Sequence, residues 1–192
     1  MAKRKYQKRS TLSMVVMAIV AILVCAAMLF GNSFKAKAQD RPTPEQATIV
    51  KVGQMAPEFT VQMFEGPTIN LADLKGKVVL LNFWATWCPP CRAELASVEK
   101  NLIERFKGQE FVFLPVSRGE KPATIAAFRE KMDYTFPMGL DIDGRVYGKY
   151  ATSYIPRNFL IDKEGKIVKI SIGYTEEEFA EMIEEIEKQL KK

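Results

Sequence analysis

The sequence predicts an α/β fold in which helices flank a mixed central sheet, preceded by one N-terminal transmembrane helix. From residue 52 onward, short apolar runs rich in Val, Ile and Phe alternate with longer segments of helical pattern, which is typical of α/β domains. Near the C-terminus only the turn residues Lys163, Glu164 and Gly165 separate two such runs, which indicates an antiparallel hairpin and therefore a mixed sheet. The predicted strands are Phe59–Gln62, Val78–Phe83, Phe111–Ser117, Arg157–Ile161 and Lys166–Ile172, and the predicted helices are Pro89–Phe106, Pro122–Lys131, Asp143–Tyr150 and Glu176–Leu190.

An uncharged apolar segment at residues 12–30 approaches the roughly 20 residues that span a bilayer as a helix. Five Lys or Arg residues lie within residues 1–11, and this positive charge favours a cytoplasmic N-terminus and an outward-facing remainder. We therefore expect a basic cytoplasmic segment (1–11), a single-pass anchor in the cytoplasmic membrane (12–30), a linker (31–51) and one domain (52–192) on the outer, periplasmic face. A cleaved signal peptide is the alternative, because Ala36–Ala38 has the small-x-small form of a cleavage site.

The basic charge of the chain belongs to its N-terminal part. Residues 1–40 contain seven Lys or Arg and one Asp, so 21 of the 28 basic residues and 22 of the 23 acidic residues remain for the rest. The domain is therefore nearly neutral, and no basic stripe with interleaved aromatic residues indicates nucleic-acid binding.

Two cysteines, Cys88 and Cys91, are separated by two prolines and follow the predicted strand Val78–Phe83. If the next helix starts at Pro89, Cys88 lies at its N-terminus, where unpaired N–H groups and the helix dipole favour a thiolate. Cys88 is then the exposed nucleophile of a dithiol–disulfide exchange, and the more buried Cys91 is the resolving thiol. Pro89 and Pro90 suit the first helical positions, because their missing N–H groups have no intrahelical partner to lose.

Two other uses of the cysteine pair remain open at this point. A purely structural disulfide would close a very short loop and would contribute little stability. A metal site would need more ligands, and the chain has no histidine and one further cysteine, Cys25, inside the apolar segment. We therefore predict a redox pair without a bound metal or cofactor.

Five stretches of the sequence carry a resemblance to known proteins: Gly53–Phe59, Leu71–Lys77, Val78–Cys91, Ile155–Asp162 and Lys163–Ile167. Together they resemble the membrane-anchored TlpA/ResA group of thiol-disulfide oxidoreductases. This resemblance implies a thioredoxin-like fold, a redox-active Cys88–Cys91 disulfide and protein disulfides as substrates. Peroxiredoxins share the first stretch, so that stretch alone would not be specific.

The resemblance also implies roles for residues distant from the cysteines in sequence. Pro156 is expected to be a cis-proline that faces the cysteine pair, with a trans proline at the start of a strand as the alternative. Ile155 would then offer its backbone to an extended substrate segment beside Cys88. Arg157 stands where the family commonly has threonine. It either stabilises the thiolate, attracts an acidic partner or points into water, and we favour water.

Other side chains close to the motif are candidates for supporting roles. Asn82 occupies the position of the aspartate that moves protons in thioredoxin, and an amide cannot titrate. Glu94 matches a glutamate that ResA-like proteins carry near the site, so we expect it to tune proton uptake at the thiols. A solvated glutamate in the first turn is the alternative. We expect Trp87 to be partly exposed toward substrate and Trp84 to be packed, with two ordinary core aromatics as the alternative.

Reduction of protein disulfides is the favoured direction, because the resemblance implies a reductant that is supplied by a transmembrane electron donor of the thiol-reductant type. Apocytochrome c is among the substrates it suggests. The motif alone does not determine direction, since Cys-x-x-Cys proteins span about −270 to −120 mV. One alternative is a thiol peroxidase, whose Pro and Thr pattern is not matched around Cys88. Another is a copper carrier or holdase on the same fold, which would want more ligands for the metal.

Overall fold

The computed structural model describes residues 14–26 and 41–192. Residues 14–26 are helical. The folded domain is a separate unit and comprises residues 44–192. Across the described residues, no helix combines the length and the apolarity that a bilayer crossing requires. The ends of the predicted anchor, residues 12–13 and 27–30, lie outside the described residues, as does the predicted basic segment 1–11.

The domain contains one seven-stranded sheet. Its strands are β1 (Thr60–Met63), β2 (Ile69–Asn70), β3 (Val78–Trp84), β4 (Phe111–Arg118), β5 (Gly139–Asp141), β6 (Arg157–Ile161) and β7 (Ile167–Ile172). They lie in the order β2-β1-β5-β4-β3-β6-β7. The central strands β3, β4 and β5 are parallel, whereas the pairs β3–β6, β6–β7, β1–β5 and β1–β2 are antiparallel. The predicted mixed sheet is therefore confirmed.

Three α-helices and several shorter helical turns complete the domain. The α-helices are α1 (Pro89–Val98), α2 (Pro122–Met132) and α3 (Glu176–Leu190). The helix of α1 continues as a π-helical segment, Glu99–Glu104, so the predicted helical region is confirmed although its hydrogen bonding changes midway. Prolines occupy the first turns of α1 and α2, and the Thr175 hydroxyl caps α3 by accepting the Glu178 N–H at 3.1 Å.

The central strand β3 divides the core into two faces, and all seven of its residues are buried. Leu80 and Trp84 pack in the cluster that includes residues from the three α-helices, whereas Leu81 and Phe83 pack in the cluster on the other face. Successive side chains of a strand alternate between its faces, so Asn82 lies on the helix-covered face. A polar side chain at that place requires hydrogen-bond partners, and it has them in the site described below.

The predicted helix Asp143–Tyr150 is wrong. Only Tyr147–Lys149 forms a short 3-10 turn. The Asp141 carboxylate accepts the backbone N–H groups of Val146 and Tyr147 at 3.0 and 2.8 Å, which directs the chain into a tight turn after β5. Strands β2 and β5, with two and three residues, are too short for the sequence pattern to have indicated them.

The segment before residue 52 also differs from the expected linker. Ala47 is fully buried, the Ile49 N–H donates to the Tyr150 carbonyl at 2.9 Å, and the Thr152 N–H donates to the Ala47 carbonyl at 2.8 Å. Residues 44–51 are thus part of the folded domain, because they pair with the chain just before β6.

Gly139 in β5 provides a test of how tightly the sheet is packed. A Cβ at this position would lie 3.0 Å from Val61 Cγ2 and 3.2 Å from Val116 Cγ2, whereas one at Gly148 would meet nothing within 4 Å. We expect Gly139→Ala to lower the free energy of unfolding by about 1–3 kcal/mol through overpacking. Urea denaturation measures this change, with Gly148→Ala as the matched control. Equal stability of the two variants would contradict the packing described.

Candidate active site

The two cysteines lie at the junction between β3 and α1. Cys88 is the N-cap residue of α1, with Pro89 and Pro90 in the first turn, and it forms a disulfide with Cys91. The Cys91 backbone N–H donates to Cys88 Sγ at 3.3 Å. A hydrogen-bond donor at a helix N-terminus stabilises negative charge, so the same arrangement would favour a thiolate at Cys88 once the disulfide is reduced.

The cysteine pair is less exposed than the sequence led us to expect. Cys91 is fully buried, and only 3% of Cys88 is exposed in this disulfide-bonded state, whereas Pro89 and Pro90 beside them are exposed. The carbonyl oxygen of Ile155 lies 3.7 Å from Cys88 Sγ and covers part of it. The loop that carries Ile155 therefore borders the small exposed part of this sulfur.

The Ile155–Pro156 peptide bond is cis, which confirms the isomer that the resemblance implied. Pro156 is buried and Ile155 is half-buried. Directly before them, Tyr154 has a φ of +71°, a left-handed conformation that is rare for a residue with a Cβ atom. The structure thus brings a sharply bent loop, residues 153–156, against the redox-active sulfur, although these residues are far from Cys88 in the sequence.

Glu94 is not a solvated first-turn residue. It is 2% exposed and accepts hydrogen bonds from Asn82 Nδ2 at 2.9 Å and Asn158 Nδ2 at 2.6 Å. Asn82 Nδ2 also donates to Asn158 Oδ1 at 2.8 Å, because the two asparagines are paired across β3 and β6. Glu94 lies one helical turn after the fully buried Cys91, so a buried carboxyl group and the buried sulfur of Cys91 share one face of α1.

Burial raises the pKa of Glu94 from 4.5 to about 7, and the hydrogen bonds from Asn158 and Asn82 offset part of this effect because they favour the charged form. A carboxyl group with this pKa exchanges its proton near neutral pH, which suits a proton acceptor and donor. Beside the Glu94 carboxyl group, the buried side-chain oxygen of Asn82, Oδ1, has no hydrogen-bond partner within the described part of the chain.

Glu120 holds the loop between β3 and Cys88, a role that the sequence analysis missed. Its carboxylate accepts the Thr86 N–H at 2.9 Å, the Thr86 hydroxyl at 2.5 Å and the Ser117 hydroxyl at 2.9 Å. Glu120 is 8% exposed and follows the end of β4, which is the parallel neighbour of β3. No local pattern around Thr86 could indicate this partner, because it comes from another strand end.

The two tryptophans of the chain have different environments, as the sequence analysis expected. Trp84 is fully buried and its ring lies 5.3 Å from that of Phe128, whereas Trp87, next to Cys88, is 65% exposed. A large exposed aromatic side chain beside a reactive sulfur is available to contact a substrate.

The expected orientation of Arg157 toward water is wrong. Arg157 is fully buried, and its guanidinium donates to the carbonyl oxygens of Ser153, Tyr154 and Pro44 and to the hydroxyl of Thr48. Pro44 and Thr48 are within reach because residues 44–51 pair with the chain just before β6, whereas the sequence had led us to expect a linker at residues 31–51.

Comparison with known proteins agrees with this geometry. The sequence profile of the AhpC/TSA family matches residues 52–170. The thiol-disulfide oxidoreductase ResA of Geobacillus thermodenitrificans is 34% identical in an alignment 177 residues long that covers 90% of this chain and 95% of that protein. The chain belongs to the AhpC/TSA family. Within it, the chain is a thiol-disulfide oxidoreductase of the ResA type.

Solved structures support the same assignment. A protein from Bacteroides thetaiotaomicron described as a candidate protein disulfide isomerase has a TM-score of 0.73 and 40% identity, covering 76% of this chain and 94% of that one. The thioredoxin domain of a thiol-disulfide oxidoreductase from Bacteroides vulgatus has a TM-score of 0.63 and 27% identity, covering 73% of this chain and 99% of that one. The thioredoxin-like fold of the domain is thus confirmed.

No group of three or more His, Cys, Asp or Glu side chains suited to holding a metal ion occurs among residues 14–26 and 41–192. The groups that the described residues bring together at this site are the Cys88–Cys91 disulfide and the buried carboxyl group of Glu94.

The raised pKa of Glu94 predicts a pH dependence of stability. The folded state holds the Glu94 proton more tightly than the unfolded state. The protonated carboxyl group therefore contributes fully to the free energy of unfolding below pH 4.5, and this contribution is lost as pH rises through about 7. A shift of this size corresponds to about 3 kcal/mol between the two limits. We expect the free energy of unfolding of the oxidised Glu94→Gln variant not to decrease in this way as pH rises. Urea denaturation from pH 4 to 8.5 measures the difference, and parallel curves for variant and wild type would contradict it.

Proposed function

We propose that this protein is an exported, membrane-tethered enzyme that reduces disulfides in other proteins through Cys88 and Cys91. The observation that carries the proposal is the placement of the disulfide at the N-terminus of α1, where the Cys91 N–H reaches Cys88 Sγ and the loop of Ile155 and Pro156 lies against the same sulfur. This placement provides an activated sulfur, a resolving sulfur and an adjacent backbone for the substrate.

The reaction begins with the reduced pair. The Cys88 thiolate attacks one sulfur of a substrate disulfide, that disulfide breaks, and a mixed disulfide forms between substrate and enzyme. Cys91 then loses its proton and attacks Cys88 Sγ, which releases the substrate as a dithiol and leaves the Cys88–Cys91 disulfide seen in the structure. An external dithiol returns two electrons and two protons to the pair.

Glu94 is the group we assign to the proton of Cys91. It is buried one helical turn from Cys91 and has a pKa of about 7, so it is partly ionised at neutral pH. In this assignment the Glu94 carboxylate accepts the proton when Cys91 becomes nucleophilic and returns it when the pair is reduced again. Asn82 and Asn158 hold the carboxylate in place through their amide hydrogen bonds.

The substrate segment is proposed to lie beside Cys88 in an extended conformation. The backbone of Ile155 pairs with it, Pro156 shapes the loop, and the exposed Trp87 contacts its side chains. Pro89 and Pro90 keep the turn of the motif rigid, since proline restricts the backbone.

The proposed direction of electron flow and the proposed partners are taken from the resemblance to ResA. The proposed electron donor is a transmembrane protein of the thiol-reductant type, and apocytochrome c is a proposed substrate. Reductants of the Cys-x-x-Cys class have potentials near −270 mV, whereas oxidants reach about −120 mV. A measured reduction potential near the oxidising end of this range would contradict the proposed reduction and would assign disulfide formation as the activity. Peroxide consumption that depends on Cys88 would instead assign a thiol peroxidase.

The proposed location is the cytoplasmic membrane, with the domain on its outer face. The helix at residues 14–26 carries no charged residue, and residues 12–30 as a whole are uncharged after a basic N-terminus. The chain entering the domain near Pro44 would then be the tether that keeps the active site close to the membrane.

A mixed disulfide can be trapped to test the catalytic roles. We expect the full-length Cys91→Ser variant to accumulate a covalent adduct with a polypeptide that contains an oxidised Cys-x-x-Cys pair, because resolution is blocked. Mass spectrometry under non-reducing conditions detects the adduct. Cys88→Ser is the control and should form none. Equal trapping by both variants, or none by either, would remove Cys88 from the role of nucleophile.

The anchor can be tested independently. We expect the chain to keep residues 1–40 and to stay with the membrane pellet during alkaline carbonate extraction, because a spanning helix is removed only by detergent. Replacing Val20 and Ile22 by Lys should release it, since charged residues are costly at the centre of a bilayer. A wild-type chain that is soluble and begins near residue 39 would show a cleaved signal peptide instead.

A further inference from the structure

Arg157 is a buried cation in contact with the loop that faces the disulfide. It is the first residue of β6 and directly follows Pro156. Its Nη2 atom donates to the Ser153 carbonyl at 2.9 Å, and its Nε atom donates to the Tyr154 carbonyl at 3.4 Å. The guanidinium thus binds two of the peptide groups that lead into the Ile155–Pro156 bond.

The same guanidinium reaches the beginning of the domain. Nη2 donates to the Pro44 carbonyl at 3.1 Å, and Nη1 donates to the Thr48 hydroxyl. The Thr48 hydroxyl in turn donates to the Pro44 carbonyl at 2.9 Å. Because the planar guanidinium has five donors in a fixed geometry, one side chain connects residues 44–48 to residues 153–154.

The loop that Arg157 binds has an unfavourable backbone conformation. Tyr154 has a φ of +71°, which a residue with a Cβ atom keeps only where its surroundings hold it. Its carbonyl accepts a second hydrogen bond, from the hydroxyl of Tyr147 at 2.8 Å. The next carbonyl along the chain, that of Ile155, is the one 3.7 Å from Cys88 Sγ. A rotation at Tyr154 would therefore move the group that faces the sulfur.

We propose that Arg157 is a positioning residue that holds residues 153–156 in the conformation that receives a polypeptide disulfide, and that residues 44–48 are part of this device. The inference rests on the proposed function, in which Ile155 contacts the substrate. A side chain as short as that of threonine at this position would not reach both Pro44 and Thr48. The segment where the chain enters the domain thus contributes to substrate recognition.

The kinetic consequence distinguishes this role from a purely structural one. A polypeptide substrate uses the backbone of Ile155, whereas dithiothreitol needs only access to the disulfide. Loss of the Arg157 contacts should therefore raise KM for a polypeptide and leave kcat and the reaction with dithiothreitol unchanged. General loosening of the domain would instead change the reactions with both reagents.

The test uses the full-length chain with oxidised insulin as the polypeptide and dithiothreitol as the electron source. We expect Arg157→Thr to raise KM for insulin on the order of tenfold, and Arg157→Lys and Thr48→Val to raise it by about two- to fivefold. The rate at which dithiothreitol reduces the Cys88–Cys91 disulfide should stay within about twofold of wild type. Arg145→Thr is the matched control, because the Arg145 side chain is 85% exposed and its ion pair is with the neighbouring Asp143.

The possible outcomes distinguish a failure of this inference from a failure of the proposed function. An unchanged KM in soluble Arg157→Lys and Thr48→Val would overturn the inference even if Arg157→Thr failed to fold. A parallel change for insulin and dithiothreitol would also overturn it. A wild-type chain that reduces neither insulin nor a polypeptide with an oxidised Cys-x-x-Cys pair would overturn the proposed function, and this inference with it. If only the second polypeptide is reduced, the same KM comparison is made with that polypeptide.

Discussion

Cys88 is both the last residue of the loop after β3 and the residue that caps α1, and the chemistry of the site depends on this double placement. A fully buried central strand fixes where the loop starts, and the first turn of the helix directs the Cys91 N–H toward the sulfur. The Cys91 N–H then meets Cys88 Sγ, and a donor at a helix N-terminus favours a thiolate at Cys88 once the disulfide is reduced. Thr86, held by Glu120, prevents the loop from shifting relative to the sheet.

A polar layer lies inside an otherwise apolar face of the sheet. Asn82 and Asn158 are paired on adjacent strands, and their amides meet the carboxylate of Glu94 from α1. Burying a carboxyl group among apolar side chains is costly unless it is protonated or hydrogen-bonded. At neutral pH the protonated and the ionised forms of Glu94 are close in energy, which is the property that proton transfer requires.

Local features of the sequence predicted the central architecture well. The apolar run of β3 and the two prolines after Cys88 sufficed to place the strand, the helix start and the cysteine pair, because each depends on neighbouring residues. The polar residues Asn82 and Asn158, within strands that are otherwise mostly apolar, were a signal of the layer around Glu94. The buried position of Arg157 and the role of Glu120 were not predictable in this way, since each also has partners more than 30 residues away, Pro44 and Thr48 for Arg157 and Thr86 for Glu120.

The contrast between Trp84 and Trp87 has a practical consequence. The chain contains two tryptophans; one is sealed against the ring of Phe128, and the other is 65% exposed at the residue next to the disulfide. Disulfides quench nearby indole emission, and solvent shifts the emission of an exposed indole to longer wavelengths. The oxidation state of the enzyme should therefore be readable from its own ultraviolet fluorescence, without any attached dye.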